Sequence, residues 1–484
     1  MKRLLSTMVA SAAVALSLLV AQTATQAQNG RGDHWVGAWA TAVVTRPQGP
    51  QAGGGFGAAT AAPQCFGRPP QVEQVGSSTT SATTTTTTTP ATTAPTNQPA
   101  AGGPAQAGPG GGGRGQGGGG RGPAPAPLNF TDQTLRQIVH TSLGGDRVRV
   151  VVSNAFGTAP LAVGAAHVAL REKDAAIVAK SDRVMTFGGS PMVNIPAGSV
   201  VVSDPISLTV PAFADLAIDL YLPGDTAAST SPLTTHGGAL QTSYLSTTGN
   251  HAGETDLPVM TTTASWFFLA RVEVAAPEQV GAVVTFGDSI TDGTRSTPNM
   301  NSRWPDLLAK RLQMAKINMG VLNQGIAGNR VLGDGAGVSA LARFDRDVIA
   351  QAGATHVIVL ESINDIGLAR ANPCPSADDL IAAHKQLIER AHARGLKIYG
   401  ATLTPFEGAA YWTKEGEAKR QAINEWIRSG KAYDGVVDFD AAVRDPTAPT
   451  KIQPQFNPGD NLHMNDAGYQ AMANIIDLGL FKKK

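Results

Sequence analysis

Apolar and polar positions follow different rhythms along this chain. After the basic pair Lys2 and Arg3, a mainly apolar stretch runs from Val9 to Val20, and small and polar residues follow as far as Ala27. A basic head, a short apolar middle and small residues at the cut are the layout of a cleavable export leader. Residues 1–27 are therefore predicted to be removed. Trp35 to Val44 read as one strand within the segment 28–45. From Leu135 to Val274 apolar residues alternate with polar ones, as in Val148, Val150 and Val152 and again in Leu216, Ile218, Leu220 and Leu222. Turn clusters such as Gly144-Gly145 and Gly188-Gly189 separate these runs. Period-two patterning at short intervals predicts antiparallel sheets, and residues 128–276 are expected to form a β-sandwich-like domain that the strand in 28–45 joins.

From Val280 the rhythm changes again. Short, nearly all-apolar strands are predicted at Ala282 to Phe286, Val321 to Asn323, His356 to Leu360, Lys397 to Leu403 and Val436 to Phe439. They alternate with helical stretches at Trp304 to Met314, Ala377 to Arg394 and Glu415 to Ser429. Strands that are apolar on both faces and joined by helices imply a parallel sheet between two helical layers, here assigned to residues 277–484.

Composition adds an interruption. Between Arg46 and Pro127 the chain is dominated by Gly, Pro, Ala and Thr, with an unbroken run from Thr83 to Thr89. Such a segment buries too little apolar surface to offset the entropy of ordering it, so 46–127 is predicted to be a disordered insertion. No later stretch offers the ~20 apolar residues of a membrane span. No cysteine stands at the cut to carry a lipid. The expected location is secreted or periplasmic, without stable membrane insertion. With 38 basic against 37 acidic residues the net charge is +1, which excludes nucleic acid as an expected partner. Two cysteines do not make a disulfide framework. Cys65, in the insertion, and Cys374, in Asn372-Pro-Cys-Pro375, either pair and tether the insertion or remain two thiols.

Candidate chemistry gathers where the predicted strands end, which is where open parallel sheets hold ligands. Gly287-Asp288-Ser289 leaves the first of them, so the Ser289 hydroxyl is presented on a turn. A serine hydroxyl attacks only when a base takes its proton, and the base must be held in one tautomer. Asp460-Asn-Leu-His463 supplies both groups three residues apart. Ester cleavage also generates an oxyanion that needs fixed donors. Asn323-Gln-Gly-Ile-Ala-Gly328 follows the second strand and offers a bare backbone N–H at Gly328. Ser362-Ile-Asn364-Asp365 follows the third and offers the Asn364 side chain. Asp288 and Asp292 lack the company of a metal-binding cluster and read as solvated turn carboxylates. No metal or other cofactor is expected.

The order serine, glycine, asparagine, histidine, each placed at a strand exit or just before the last helix, resembles the SGNH (GDSL) hydrolase superfamily over about residues 280 to 481. The resemblance implies a nucleophile at Ser289, a general base at His463 and an orienting carboxylate at Asp460. It implies an oxyanion hole of the Ser289 N–H, Gly328 and Asn364. The third block departs from the family in carrying Ser362 where a glycine is usual. Trp35, the Thr134-Leu-Arg-Gln-Ile138 run and the Ser153-Asn-Ala-Phe-Gly157 turn also resemble secreted members that carry an N-terminal β domain. Joined to the strand and helix alternation, this makes the expected fold an α/β, flavodoxin-like, three-layer parallel-sheet hydrolase domain preceded by a β-sandwich-like domain.

The implied activity is a secreted serine esterase that cleaves short acyl or O-acetyl esters of small molecules or polysaccharides. Two alternatives stay open. One is a lipase or lysophospholipase type of acylhydrolase, with Ile290, Ile366 and Leu462 lining an acyl site. The other is a non-catalytic protein that binds carbohydrate or envelope through the β domain.

Overall fold

The computed structural model describes residues 33–46, 129–229, 232–369 and 373–482. The predicted leader, the predicted insertion beyond Arg46, and Cys65 lie outside them. Cys374 lies within them and is not a free thiol.

The first part of the chain is β-rich and antiparallel. One sheet orders Trp35–Ala40, Leu269–Ala275, Gly145–Ser153 and Val200–Val202, with Ile206–Val210 also paired to Gly145–Ser153. A second orders Val259–Thr263, Ser243–Thr248, Gln133–His140, Asp215–Leu222, Ala165–Lys173 and Ala176–Ile177. The alternation seen in the sequence has a direct cause here. Val148, Val150, Val152 and Val272 of the first sheet and Leu135, Val139, Leu216, Ile218 and Leu220 of the second belong to one buried apolar cluster. Side chains on one face of a strand recur every second residue, so only that face reaches the cluster. A small third sheet orders Ser265–Phe267, Leu233–Gly237 and Val44–Arg46.

The second part is a parallel sheet of Met319–Gly325, Gly281–Gly287, Ala354–Leu360, Lys397–Ala401 and Gly435–Val437, in that spatial order. Numbered by sequence the order is 2-1-3-4-5, so the chain leaves the Gly281–Gly287 strand first to one side and then to the other. The crevice at that reversal, beyond the carboxyl ends of the strands, is where such sheets place ligands. Every residue of Gly281–Gly287 is buried, which is why it reads as a continuous apolar run. Helices Trp304–Met314, Ala377–His392, Lys414–Ser429 and Asp466–Ile475 pack around the sheet. Ser376 opens the second of these by accepting the Asp379 N–H, while Asp379 accepts the Ser376 N–H in return.

Met319–Gly325 is an edge strand, and an open edge leaves backbone donors and acceptors without partners. The β-rich part covers it. Ser142 Oγ accepts the Val321 N–H at 2.9 Å and lies 2.7 Å from the Ala38 carbonyl oxygen, to which it donates. Val36, Ala38, Ala40, Leu143 and Val274 belong to the same apolar core as the parallel sheet. The approach is close enough that a Cβ on Gly320 would stand 2.1 Å from the Gly37 carbonyl oxygen. Because a backbone atom cannot swing aside, Gly320→Ala is expected to lower stability by about 1–3 kcal/mol. Denaturant unfolding checks this, and the shared core predicts that the β-rich and α/β parts of the variant still unfold in one transition.

Candidate active site

Gly281–Gly287 ends at Asp288, whose Oδ1 accepts the Ile290 N–H at 2.9 Å and so caps a single helical turn, Ser289–Asp292. Gly293 closes the turn in the left-handed region at φ 95°. Ser289 is the first residue of that turn, and its N–H makes no hydrogen bond among the described residues. This is the state expected of a donor at a helix start. Its hydroxyl faces the segment before helix Asp466–Ile475. There His463 Nε2 lies 2.8 Å from Ser289 Oγ, and His463 Nδ1 lies 2.9 Å from Asp460 Oδ2.

Asp460 is heavily engaged. Its Oδ1 accepts the backbone N–H groups of Leu462 at 3.1 Å and His463 at 3.0 Å, and Arg295 Nε donates to its Oδ2 at 3.0 Å. Partial burial raises its pKa, but the hydrogen bonds from His463 and Leu462 outweigh that and hold the carboxyl well below the usual range. A carboxylate at Nδ1 requires that nitrogen to carry the ring proton. Nε2 of the neutral ring is then left to accept from the serine hydroxyl.

Gly328 stands in the turn after Met319–Gly325 at φ 78°, a conformation that glycine adopts without strain. Its N–H likewise has no partner among the described residues. Asn364 is buried in the short helix Ile363–Leu368 and donates one Nδ2–H to the Asn329 carbonyl at 3.0 Å, which leaves its second N–H. The three loops are tied to one another. Ile326 N–H donates to the Gly287 carbonyl at 3.0 Å, and Asp365 accepts the N–H groups of Val331 at 2.7 Å and Leu332 at 3.0 Å. The structure thus joins Ser289, His463 and Asp460 by direct hydrogen bonds, and links Gly328 and Asn364 through Asn329.

Beneath these loops is a residue that sequence reasoning passed over. Arg343, fully buried on the short helix Ala340–Phe344, donates to the Gly287 carbonyl at 3.0 Å, the Gln324 carbonyl at 2.9 Å and Asn329 Oδ1 at 2.9 Å. It pairs with Glu361 at 3.2 Å and Asp347 at 3.1 Å. One guanidinium therefore touches the segments that lead to Ser289, Gly328 and Asn364. The only signal in the sequence was a lone arginine in the apolar stretch Ala340-Leu-Ala-Arg-Phe344. Ser362, the departure from the family pattern, adopts φ 104° and is fully buried. Its hydroxyl lies 2.9 Å from Nε2 of buried His384, whose Nδ1 lies 2.5 Å from the Tyr433 hydroxyl. Burial pushes His384 down to about 4, so the ring is neutral.

Two expectations are corrected. Asp288 and Asp292, read as solvated turn carboxylates, are 0% and 3% exposed. The turn they flank is enclosed by the neighbouring strand ends and by His236 of the β-rich part, which lies 3.1 Å from Asp292. Ile290 and Ile366, suggested as an acyl lining, are each 1% exposed and belong to the core under the sheet. Among the described residues no group of three or more His, Cys, Asp or Glu is placed to hold a metal ion.

Burial also sets how the acids beneath the site titrate. It raises Asp288 to about 7, aided by the nearby Asp365 and opposed by the Ile290 N–H and Arg343. It raises Asp365 to about 6 and Glu361 well above the ordinary range. An acid whose folded pKa is raised holds its proton more tightly in the native state, so its contribution to stability is complete below ~4 and is lost as pH rises through the folded value. Asp288→Asn removes that titration but keeps an oxygen for the Ile290 N–H. The melting temperature of the variant minus that of the wild type is therefore expected to grow more positive from pH 5 to pH 8, as thermal melts across that range would show.

Residues 285–471 match the GDSL-like Lipase/Acylhydrolase family. No curated protein matches the chain. Among solved structures, a GDSL-like lipase from Bacteroides thetaiotaomicron VPI-5482 is 20% identical, with 41% of this chain and 87% of that one covered and a TM-score of 0.32. A mutant of an acetyl-xylooligosaccharide esterase from Geobacillus Stearmophilus is 22% identical, with 40% and 93% covered and a TM-score of 0.32. A carbohydrate acetylesterase from Sinorhizobium meliloti is 14% identical, with 40% and 94% covered and a TM-score of 0.31. Residues 285–471 thus carry a GDSL-like lipase/acylhydrolase domain.

Proposed function

We propose that this chain is an exported serine esterase acting on short acyl or O-acetyl esters of a small molecule or a polysaccharide. In this reading Asp460 holds the His463 ring, and His463 takes the Ser289 proton as Ser289 Oγ attacks the ester carbonyl. The carbonyl oxygen gains negative charge and is met by the N–H groups of Ser289 and Gly328 and by the Asn364 side chain. His463 then gives its proton to the departing alcohol. Water repeats the sequence on the acyl-enzyme, and the serine is restored.

The observation that carries the reading is the row Ser289 Oγ, His463 Nε2, His463 Nδ1, Asp460 Oδ2, with spacings of 2.8 and 2.9 Å, set beside two backbone N–H groups without a hydrogen-bond partner among the described residues. Preference for short acyl groups is supported by the loss of Ile290 and Ile366 to the core, which leaves half-buried Leu462 as the remaining apolar neighbour named for an acyl site. Export is supported by the leader-like residues 1–27. No described helix is long and apolar enough to cross a membrane. Outside the cytoplasm, Cys65 and Cys374 would meet oxidising conditions and pair. The α/β part is read as three layers of the flavodoxin kind and the β-rich part as sandwich-like.

Hydrolysis of aryl acetates tests the reading. Ser289→Ala is expected to lower kcat by at least ~10³-fold. Asn364→Ala is expected to lower kcat by about 10²- to 10³-fold with little change in KM, because its free N–H matters only once the oxyanion forms. Turnover by Ser289→Ala equal to the wild type would remove the reading.

A further inference from the structure

His236 belongs to the β-rich part, on strand Leu233–Gly237, yet its ring reaches the nucleophile turn. It is 3% exposed and lies against Trp266 with ring centroids 5.6 Å apart. Trp266 is itself fixed, donating from Nε1 to the Ile138 carbonyl at 2.9 Å and meeting Trp39 edge-on at 4.9 Å. The ring therefore has little freedom to turn. Nδ1 lies 2.8 Å from the Ala42 carbonyl oxygen, and Nε2 lies 3.1 Å from Asp292 Oδ1.

A carbonyl only accepts, so Nδ1 carries a proton. What faces Nε2 is a carboxyl group, and two forms satisfy both contacts. Either Nε2 is protonated as well and the ring is a cation beside ionised Asp292, or Asp292 keeps the proton and donates it to Nε2. Both forms place a strong bond where water cannot compete, since each partner is almost fully enclosed.

Asp292 is the last residue of the turn that begins at Ser289. Four residues in one turn share their backbone geometry, so a shift at Asp292 moves Ser289. Asp288 secures the front of the turn through the Ile290 N–H, and His236 secures its back.

We propose that His236 is a positioning residue for Ser289, so that the β-rich part completes the catalytic apparatus instead of serving only as an appended binding module. This rests on the reading of Ser289 as nucleophile. Displacing a nucleophile by ~1 Å costs on the order of 10²-fold in rate, and the contact through Asp292 is what limits such a displacement.

The test compares wild type, Ser289→Ala, His236→Phe and His236→Gln on p-nitrophenyl acetate, with Ser289 labelling by a fluorophosphonate as a second readout. Circular dichroism and a melting curve confirm that each variant is folded. Phenylalanine keeps the ring against Trp266 but removes both nitrogens. His236→Phe is expected to lose about 10- to 100-fold in kcat and in labelling rate, with KM within about twofold of wild type. His236→Gln keeps an N–H within reach of Asp292 and is expected to restore most of the rate. A purely structural role would lower the melting temperature and leave the kcat of folded protein unchanged. Folded His236→Phe with wild-type kcat and labelling rate overturns the proposal. Should His236→Phe not fold, Asp292→Ala, which removes the side chain that His236 holds, carries the test: reduced kcat at unchanged KM is expected, and wild-type kcat overturns it. Full activity in Ser289→Ala sinks the esterase reading itself, whereas an inactive Ser289→Ala beside a fully active His236→Phe sinks only the role of His236.

Discussion

Where parallel strands end side by side, their last carbonyl oxygens all point toward the place that must also hold the reacting groups. In this protein one buried cation resolves the conflict. The fully buried Arg343 guanidinium donates to the Gly287 and Gln324 carbonyls, the Asn329 side chain, Glu361 and Asp347. A buried charge of this kind adds little net stability against a well-packed apolar replacement, because both partners lose their hydration. Its effect is geometric. The segments bearing Ser289, Gly328 and Asn364 rest on one rigid planar group, whose spread of N–H directions leaves each loop a single compatible position.

The groups above that platform come from elsewhere in the chain. Asp460 and His463 precede the final helix, and Asp460 spends its Oδ1 on the backbone of its own loop, which leaves Oδ2 for the ring and for Arg295. His236 reaches in from the β-rich part. Donors and acceptors set in place before substrate arrives do not have to reorganise as charge develops. The tight packing of the β-rich part over the edge of the parallel sheet belongs to the same arrangement, since it fixes the frame from which His236 approaches Asp292.

How much of this could be read in advance follows from the range of each interaction. The alternation of strands and helices after Val280 was legible because burial on both faces leaves an apolar run in the sequence itself. Ser289, Asn364, Asp460 and His463 were legible because each sits in a short block at a strand exit or before a helix. Arg343 was not, since the helix that carries it has five residues and continues into a wider turn, Asp345–Ile349, with no periodicity to mark it. His236 and Asp292 meet only through tertiary structure, so neither residue announces the other. Asp288 and Asp292 were misread because a Gly-Asp-Ser turn is usually wet, and here the surrounding strands close over it. At Ser362 the sequence showed a departure but not its counterpart: the hydroxyl takes a strained backbone position and meets His384, a residue on another helix.

The pairing of Trp35 with Ala275 sets an order of events as the chain emerges from the ribosome. The first strand appears early, yet the strand it must lie beside is made only after the insertion and almost the whole β-rich part. Long separation adds only logarithmically to the entropy of closure, about 0.6 kcal/mol per doubling, but it delays the reward until late in synthesis. The leading segment therefore stays without its native neighbour until Leu269–Ala275 has been made. By then Met319–Gly325 has yet to be made, so the cover of the parallel sheet's edge exists before the edge itself.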